Sequence, residues 1–213
     1  MAPNGPPPTV ERELLMLERG LWPVAGVDEA GRGALAGPVV AGAVVADWSG
    51  DISWCREVRD SKELVPQVRE ELYECIMAHA QSAAVGIVGC EVIDKLGIVG
   101  ATKRAMYAAI KELSVRPRAV LIDWVVLPHL RIPQESMARG DSLCFSIACA
   151  SIVAKVTRDR LMIELDSQYP EYGFRNNKGY ATGFHMERLL QVGACPIHRT
   201  TFEPVYIALG GLL

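Results

Sequence analysis

The stretch Val24-Ala25-Gly26-Val27-Asp28-Glu29-Ala30-Gly31-Arg32-Gly33 carries the chain from a short apolar run into two carboxylates, then into two glycines around an arginine. The apolar part reads as a buried strand. Neighbouring side chains on a strand point to opposite faces, so Asp28 and Glu29 are expected to reach one ion only if the strand ends or bulges there. The glycines permit either. Oxygen-rich clusters of this kind suit hard cations such as Mg²⁺ or Mn²⁺. An Asp-Glu pair on its own is more often a solvated acidic turn, so the rest of the chain decides the reading.

Gly37–Ala46 is a second β-rich run, and the short Gly-rich turn before it predicts a hairpin with Val24–Asp28. Glu11 to Gly20 reads as a short helix closed by Gly20. Pro66 to His79 has the i, i+3, i+4 pattern of a helix, with Pro66 suited to its first turn. Ser82–Cys90 reads as a strand, Ile98–Leu113 as a helix, and Ala119–Asp123 as a short buried strand ending in an acid. Residues 128–139 are expected to hold another strand leading to Gly140-Asp141. From Cys144 the pattern is helical through Asp166, broken at Tyr169-Pro170, and helical again from Thr182 to Gln191. Strands early and helices late, with crossovers between them, predict an α/β fold.

The chain has 213 residues, half of them apolar, which is enough for one full core. Residues 1–9 are Pro-rich and read as a disordered tail, leaving 10–213 as a single domain. No apolar run approaches a membrane span and no signal peptide opens the chain, so a cytoplasmic location is expected. The six cysteines form no Cys-x-x-Cys pair, which argues against a zinc knuckle or a disulfide framework and for buried free thiols. A net charge of −3 offers nucleic acid no bulk attraction, so any such binding needs a local basic surface.

Asp123 ends the run Val120-Leu121-Ile122-Asp123, and active sites in such sheets gather at strand ends. Asp28, Glu29 and Asp123 converge if their strands are neighbours of the right polarity. Asp141 follows Gly140 and precedes a small-residue run, Ser146 to Lys155, suited to packing a helix closely on a sheet. Carboxylates crowded together are costly unless cations neutralise them. Two divalent ions roughly 3.5–4 Å apart are the usual solution, and they catalyse phosphoryl displacement.

The segments DEAGRG (28–33), GPVVAGAVV (37–45), DSK (60–62), Asp123, GD (140–141), SIACASIVAKVTRDR (146–160), YPEYGF (169–174), NKGYAT (177–182) and HRTTF (198–202) stand in an order that resembles the bacterial type 2 ribonucleases H, the ribonuclease HII family. They span nearly the whole chain after the tail. The resemblance implies a ribonuclease H-like mixed sheet led by an antiparallel hairpin, flanked by helices, with a helical C-terminal section. It implies that Asp28, Glu29, Asp123 and Asp141 are the metal-binding and catalytic acids, with Mg²⁺ or Mn²⁺ as cofactor. It further implies that Gly31-Arg32-Gly33 and Tyr180 read the junction where a ribonucleotide meets DNA. The substrates implied are RNA–DNA hybrids and duplex DNA with embedded ribonucleotides, cut 5′ of the ribonucleotide by a monomer that binds no membrane. Three positions depart from the family pattern: Trp124 stands where glycine usually follows the third acid, Asn177 replaces a usual histidine, and Cys149 replaces a common alanine.

Lys62, Lys178 and Arg199 are candidates for holding the nucleic-acid backbone, against a solvated role for each. Lys155, Arg158 and Arg160 form a basic helical turn, more often a solvated or paired face, here with Asp159 and Glu164 available. His185 follows the candidate cap Thr182 and reads as structural. His198 reads as structural or backbone-contacting. Trp22, Trp48 and Trp54 read as core or surface anchors. Two other functions compete with this one. A dinucleotide-dependent dehydrogenase would need G-x-G-x-x-G opening a helix, but the third glycine is misplaced at Gly37 and the next segment is strand-like. A non-catalytic nucleic-acid-binding module would need no acid cluster.

Overall fold

A computed structural model describes residues 6–47 and 53–211. Trp48 lies outside them, as do residues 1–5 of the expected tail. The elements run α1 (Glu11–Glu18), β1 (Val24–Ala30), β2 (Val39–Val45), α2 (Pro66–His79), β3 (Ser82–Val88), α3 (Cys90–Glu112), β4 (Ala119–Asp123), β5 (Gln134–Met137), α4 (Gly140–Leu143), α5 (Phe145–Asp166), α6 (Phe174–Asn177), α7 (Gly183–Val192) and α8 (Glu203–Ala208). The five strands form one mixed sheet in the order β3-β2-β1-β4-β5. β1 and β2 pair antiparallel, β2 pairs antiparallel with β3, and β4 joins β1 and β5 in parallel. This is the ribonuclease H-like arrangement implied by the sequence, a hairpin leading a mixed sheet with helices on both faces and a helical C-terminal section.

Strand alternation sorts the central residues between two cores. Ala25, Val27, Val39, Ala41 and Ala43 pack toward Ala101, Ala105, Met106 and Ala109 of α3. Val44 lies on the other face with Ala148, Ile152 and Val153 of α5, while Val24 and Leu121 meet Ile147 there. The small residues of α5 let its backbone lie almost on the sheet. A Cβ at Gly26 would come within 2.1 Å of the Ser146 carbonyl carbon, and one at Gly42 within 2.3 Å of the Ala150 oxygen. Any larger residue at either position would push α5 off the sheet.

Three expectations need correction. The tail is ordered by Thr9, whose N–H donates to Leu143 O at 3.1 Å and whose carbonyl accepts from Phe145 N at 3.0 Å. α3 begins at Cys90, eight residues before the predicted start, because the chain kinks at Gly97 (φ 69°) and helical structure lies on both sides of that break. β1 neither ends nor bulges at its acids: Asp28 pairs with Gly42, Glu29 with Ala41 and Ala30 with Val40 in unbroken register. Among the described residues no helix is long and apolar enough to cross a membrane.

Candidate active site

β1 and β4 run parallel, and their last paired residues are Val27 and Ile122. Asp28 and Asp123 are the next residue of each strand, so both carboxylates emerge where the β1–β4 pairing stops, toward the carboxyl ends where α/β sheets place their ligands. Glu29 joins them although its strand is regular. The Asp28 side chain turns along the backbone to accept the Glu29 N–H at 2.7 Å. The longer Glu29 arm is held by Arg32 Nη1 (3.2 Å) and by Trp124 Nε1, which donates to both carboxylate oxygens at 3.1 and 3.2 Å. Ligand oxygens of Asp28, Glu29 and Asp123 thereby lie within 4.8 Å of one another.

The electrostatics follow from that crowding. Burial, then the charges of Glu29 and Asp123, raises the Asp28 pKa well above the usual carboxylate value, with Ser151 opposing as a hydrogen-bond donor. Glu29 is raised by burial, against the stabilising Arg32 and Trp124. Asp123 is raised by burial and by Asp141, against the Gly140 N–H that donates to it at 2.7 Å. One buried and two half-buried carboxylates are held together here with their pKa values raised, and a divalent cation is the group that their oxygen-donor chemistry fits.

Asp141 is buried beside this cluster and carries Lys62, whose ammonium lies 3.1 Å from it and 3.5 Å from Asp60. Burial acts to lower the Lys62 pKa, but the attraction of Asp141 and Asp60 outweighs it and the net shift is upward. The acids open into a cleft of about 560 Å³ whose walls include Gly31, Arg32, Gly33, Lys62 and Tyr180. Ser61, Arg69, Ser151 and Lys155 also line it, and no sequence pattern singled out the first three for this place. Lys155 pairs with Asp159 at 2.6 Å, and Arg69 reaches the same carboxylate at 3.4 Å. Arg160 pairs with Glu70 and Glu74, so Glu164 is not the partner of this basic turn.

Two basic candidates stand apart from the cleft wall. Lys178 turns its ammonium to the Arg175 carbonyl. Arg199 is fully buried, and its guanidinium donates to the Gly31, Arg32 and Gly37 carbonyls at 2.7–3.1 Å. Its place is therefore beneath the Gly31-Arg32-Gly33 loop, and contact with a nucleic-acid backbone is not what the geometry gives it. Arg158, also fully buried, likewise ties main-chain segments together, donating to the Ala36, Pro38 and Lys178 carbonyls. Gly31 fits this crowding: its φ is 91°, and a Cβ would meet Arg158 Nε at 1.9 Å. Asn177, the residue found in place of histidine, donates to Tyr172 O and accepts from Gly179 N, fixing the turn that presents Tyr180. The Tyr180 ring lies 5.2 Å from the Arg158 guanidinium carbon and 5.8 Å from Lys155 Nζ.

His185 and His198 are both buried and joined Nε2 to Nε2 at 3.1 Å, with His185 Nδ1 on the Tyr180 carbonyl. Thr182 caps α7 by accepting from His185 N. After Gly33 the chain enters strand β2 and not a helix, so the dinucleotide fingerprint has no structural counterpart.

Comparisons with known proteins agree on one family and one fold. The family model described as Ribonuclease HII matches residues 25–205. A ribonuclease HII of Dehalococcoides mccartyi (strain BAV1) is 49% identical over 205 residues, covering 96% of this chain and 97% of the relative. One from Acholeplasma laidlawii is 46% identical over 193 residues, covering 91% and 93%. The crystal structure of ribonuclease H2 from Pyrococcus horikoshii OT3 superimposes with a TM-score of 0.71 at 29% identity, covering 87% of this chain and 96% of that one. Bst-RNase HIII in complex with Mn²⁺ shares the fold, with a TM-score of 0.70 at 20% identity over 88% and 69% of the two chains.

Proposed function

The chain belongs to the ribonuclease HII family and is a nuclease, and from that premise we propose that it hydrolyses the RNA strand of RNA–DNA hybrids and cuts 5′ of single ribonucleotides in duplex DNA, leaving 3′-hydroxyl and 5′-phosphate ends. The observation that carries this reading is the meeting of Asp28, Glu29 and Asp123 at the floor of a cleft walled by Gly31-Arg32-Gly33 and Tyr180. Asp28, Glu29, Asp123 and Asp141 would hold two Mg²⁺ or Mn²⁺ ions. Such ions, when bound, acidify the attacking water and stabilise the departing 3′-oxygen.

The chain's own residues do the recognition. Arg199 fixes the carbonyls of Gly31 and Arg32 from beneath, so the loop presents a rigid main-chain edge to a sugar. A 2′-hydroxyl both donates and accepts, and main-chain N–H and C=O groups can read it on both counts. Gly33 is exposed and a Cβ there would meet no protein atom within 4 Å. Packing within the protein gives no reason for glycine at this position, and close approach of a substrate does. Tyr180 supplies a flat face for the adjacent deoxyribose. Lys62, beside Asp141, supplies positive charge for a phosphate.

The test is cleavage of three duplexes at one salt concentration: DNA with one embedded ribonucleotide, an RNA–DNA hybrid, and DNA alone. Cutting of the first two in Mg²⁺, none of the third, and none of any in a chelator is expected. Cleavage that persists in the chelator, or in Asp123→Asn, overturns the reading.

A further inference from the structure

Trp124 holds a backbone conformation that its side chain makes costly. Its φ is 47°, in the left-handed region that glycine enters freely and bulky residues avoid. The turn around it is pinned by Trp124 N donating to Met137 O at 2.9 Å and Val125 N to Asp123 O at 2.6 Å. Glycine would serve this turn better than tryptophan, so the turn itself does not explain the indole.

Its contacts offer an explanation. The indole N–H donates to both oxygens of Glu29, and the Arg32 guanidinium carbon sits 3.7 Å from the centroid of the Trp124 ring. Arg32 closes the triangle with its own 3.2 Å ion pair to Glu29. Adjacent side chains on the regular strand β1 are expected to diverge, yet the Glu29 and Asp28 oxygens meet. Of the two groups that hold Glu29 in the cluster, Arg32 is partly exposed and stands in the cleft wall, whereas the indole is attached directly to the Asp123 end of β4. Trp124 thus links the third acid to the second, and its ring carries the arginine of the substrate-facing loop.

We propose that Trp124 is a positioning residue that sets the Glu29 carboxylate for metal binding and couples it to Arg32. This rests on reading Asp28, Glu29 and Asp123 as metal ligands. Hydrogen-bond partners that orient a metal ligand are typically worth about 10–100-fold in metal affinity. Trp124→Phe keeps the ring under Arg32 and removes only the donor. Trp124→Gly removes both and suits the backbone, so it provides a variant whose turn carries no strain.

The experiment measures Mn²⁺ binding without substrate, by electron paramagnetic resonance of the free ion, for wild type, both Trp124 variants and Asp123→Asn. Metal titrations of kcat and KM follow on a ribonucleotide-containing duplex. In Trp124→Phe we expect Mn²⁺ binding weakened by about tenfold or more, an unchanged substrate KM, and a rate that approaches wild type at saturating Mn²⁺. Trp124→Gly adds a several-fold rise in KM through the lost Arg32 platform. Wild-type Mn²⁺ affinity in both Trp124 variants, with Asp123→Asn impaired, overturns the positioning role alone. Wild-type affinity in all the variants overturns the metal reading and this proposal with it.

Discussion

Asp28 is 3% exposed and faces Glu29 and Asp123, so ionising it in the folded chain works first against burial and then against two neighbouring charges. An acid whose folded pKa is raised withdraws stability as pH climbs from its unfolded value through the folded one, and the loss is complete above both. At neutral pH without metal, Asp28→Asn is therefore expected to melt higher than wild type, by about 2–4 °C for each kcal/mol of strain relieved in a chain of this size. The same variant should lose cleavage and the stabilisation that Mg²⁺ gives the wild type. Thermal unfolding in chelator and in Mg²⁺ measures both. An Asp28→Asn melting point below wild type in chelator contradicts this account of the cluster.

Tyr180 gives a prediction of another kind, because its ring lines the cleft and is only partly buried. Tyr180→Ala should lose cleavage at a single embedded ribonucleotide far more than cleavage of a long hybrid. The loss should be on the order of tenfold to a hundredfold, from stacking and one hydrogen bond at about 1–3 kcal/mol each. Equal losses in kcat/KM on the two substrates would assign Tyr180 to the fold or to general binding. Single residues were legible where chemistry dictates type. Acids at the ends of apolar runs marked the cluster, and glycines around Arg32 marked the loop. Arg199 was misplaced because a sequence shows a cation's charge and not the carbonyls that surround it. Trp124 stood out as a departure, but its bond to Glu29 spans 95 residues and leaves no local signal.

At the level of elements, the segment 195–198, α7 and the Tyr180 turn are joined through two imidazoles. Cys195 N donates to His198 Nδ1 at 3.0 Å, so His198 carries its proton on Nε2 and donates to His185 Nε2. His185 in turn donates from Nδ1 to the Tyr180 carbonyl at 2.9 Å. Only neutral rings satisfy this chain, and burial first, then His185, lowers the His198 pKa from 6.5 to about 4. A base with a lowered folded pKa contributes fully above its unfolded value, and that contribution is lost as pH falls through the folded one. His198→Phe keeps the ring packed beside Tyr172 and leaves the Cys195 N–H without its acceptor, at a cost of about 1–3 kcal/mol. The stability gap between wild type and this variant should be widest above pH 6.5 and narrow toward pH 4. Denaturant unfolding across that range measures it, and a gap independent of pH would contradict the neutral pair.

Elements with strong local signals were readable in the sequence. Pro66 opened α2 where predicted, and β4 ended on its acid. The first turns of α3 were not, because Gly97 interrupts the apolar period before the helix resumes.

Across the whole molecule, the site depends on a pairing that local sequence does not encode. β1 and β4 are adjacent only because the chain passes through β2, α2, β3 and α3 and returns, and their parallel register sets Asp123 beside Asp28. The sequence left that meeting conditional on neighbouring strands. The charge distribution is likewise a property of the fold: a chain of net charge −3 gathers Arg32, Lys62, Arg69 and Lys155 around one acidic floor. Such a cleft can draw in a phosphate backbone locally, and its affinity should fall as salt rises.

Under the proposed function, these acids direct metal-dependent attack by water on the phosphate 5′ of a ribonucleotide. The decisive measurement maps both new ends after cleavage of a duplex with one embedded ribonucleotide in Mg²⁺. The expected products are a deoxynucleotide with a 3′-hydroxyl and a fragment that begins with the 5′-phosphorylated ribonucleotide. A 2′,3′-cyclic phosphate, or a cut on the 3′ side of the ribonucleotide, would mean that the sugar's own 2′-hydroxyl attacks or that the junction is read in another register, and would overturn the proposed function.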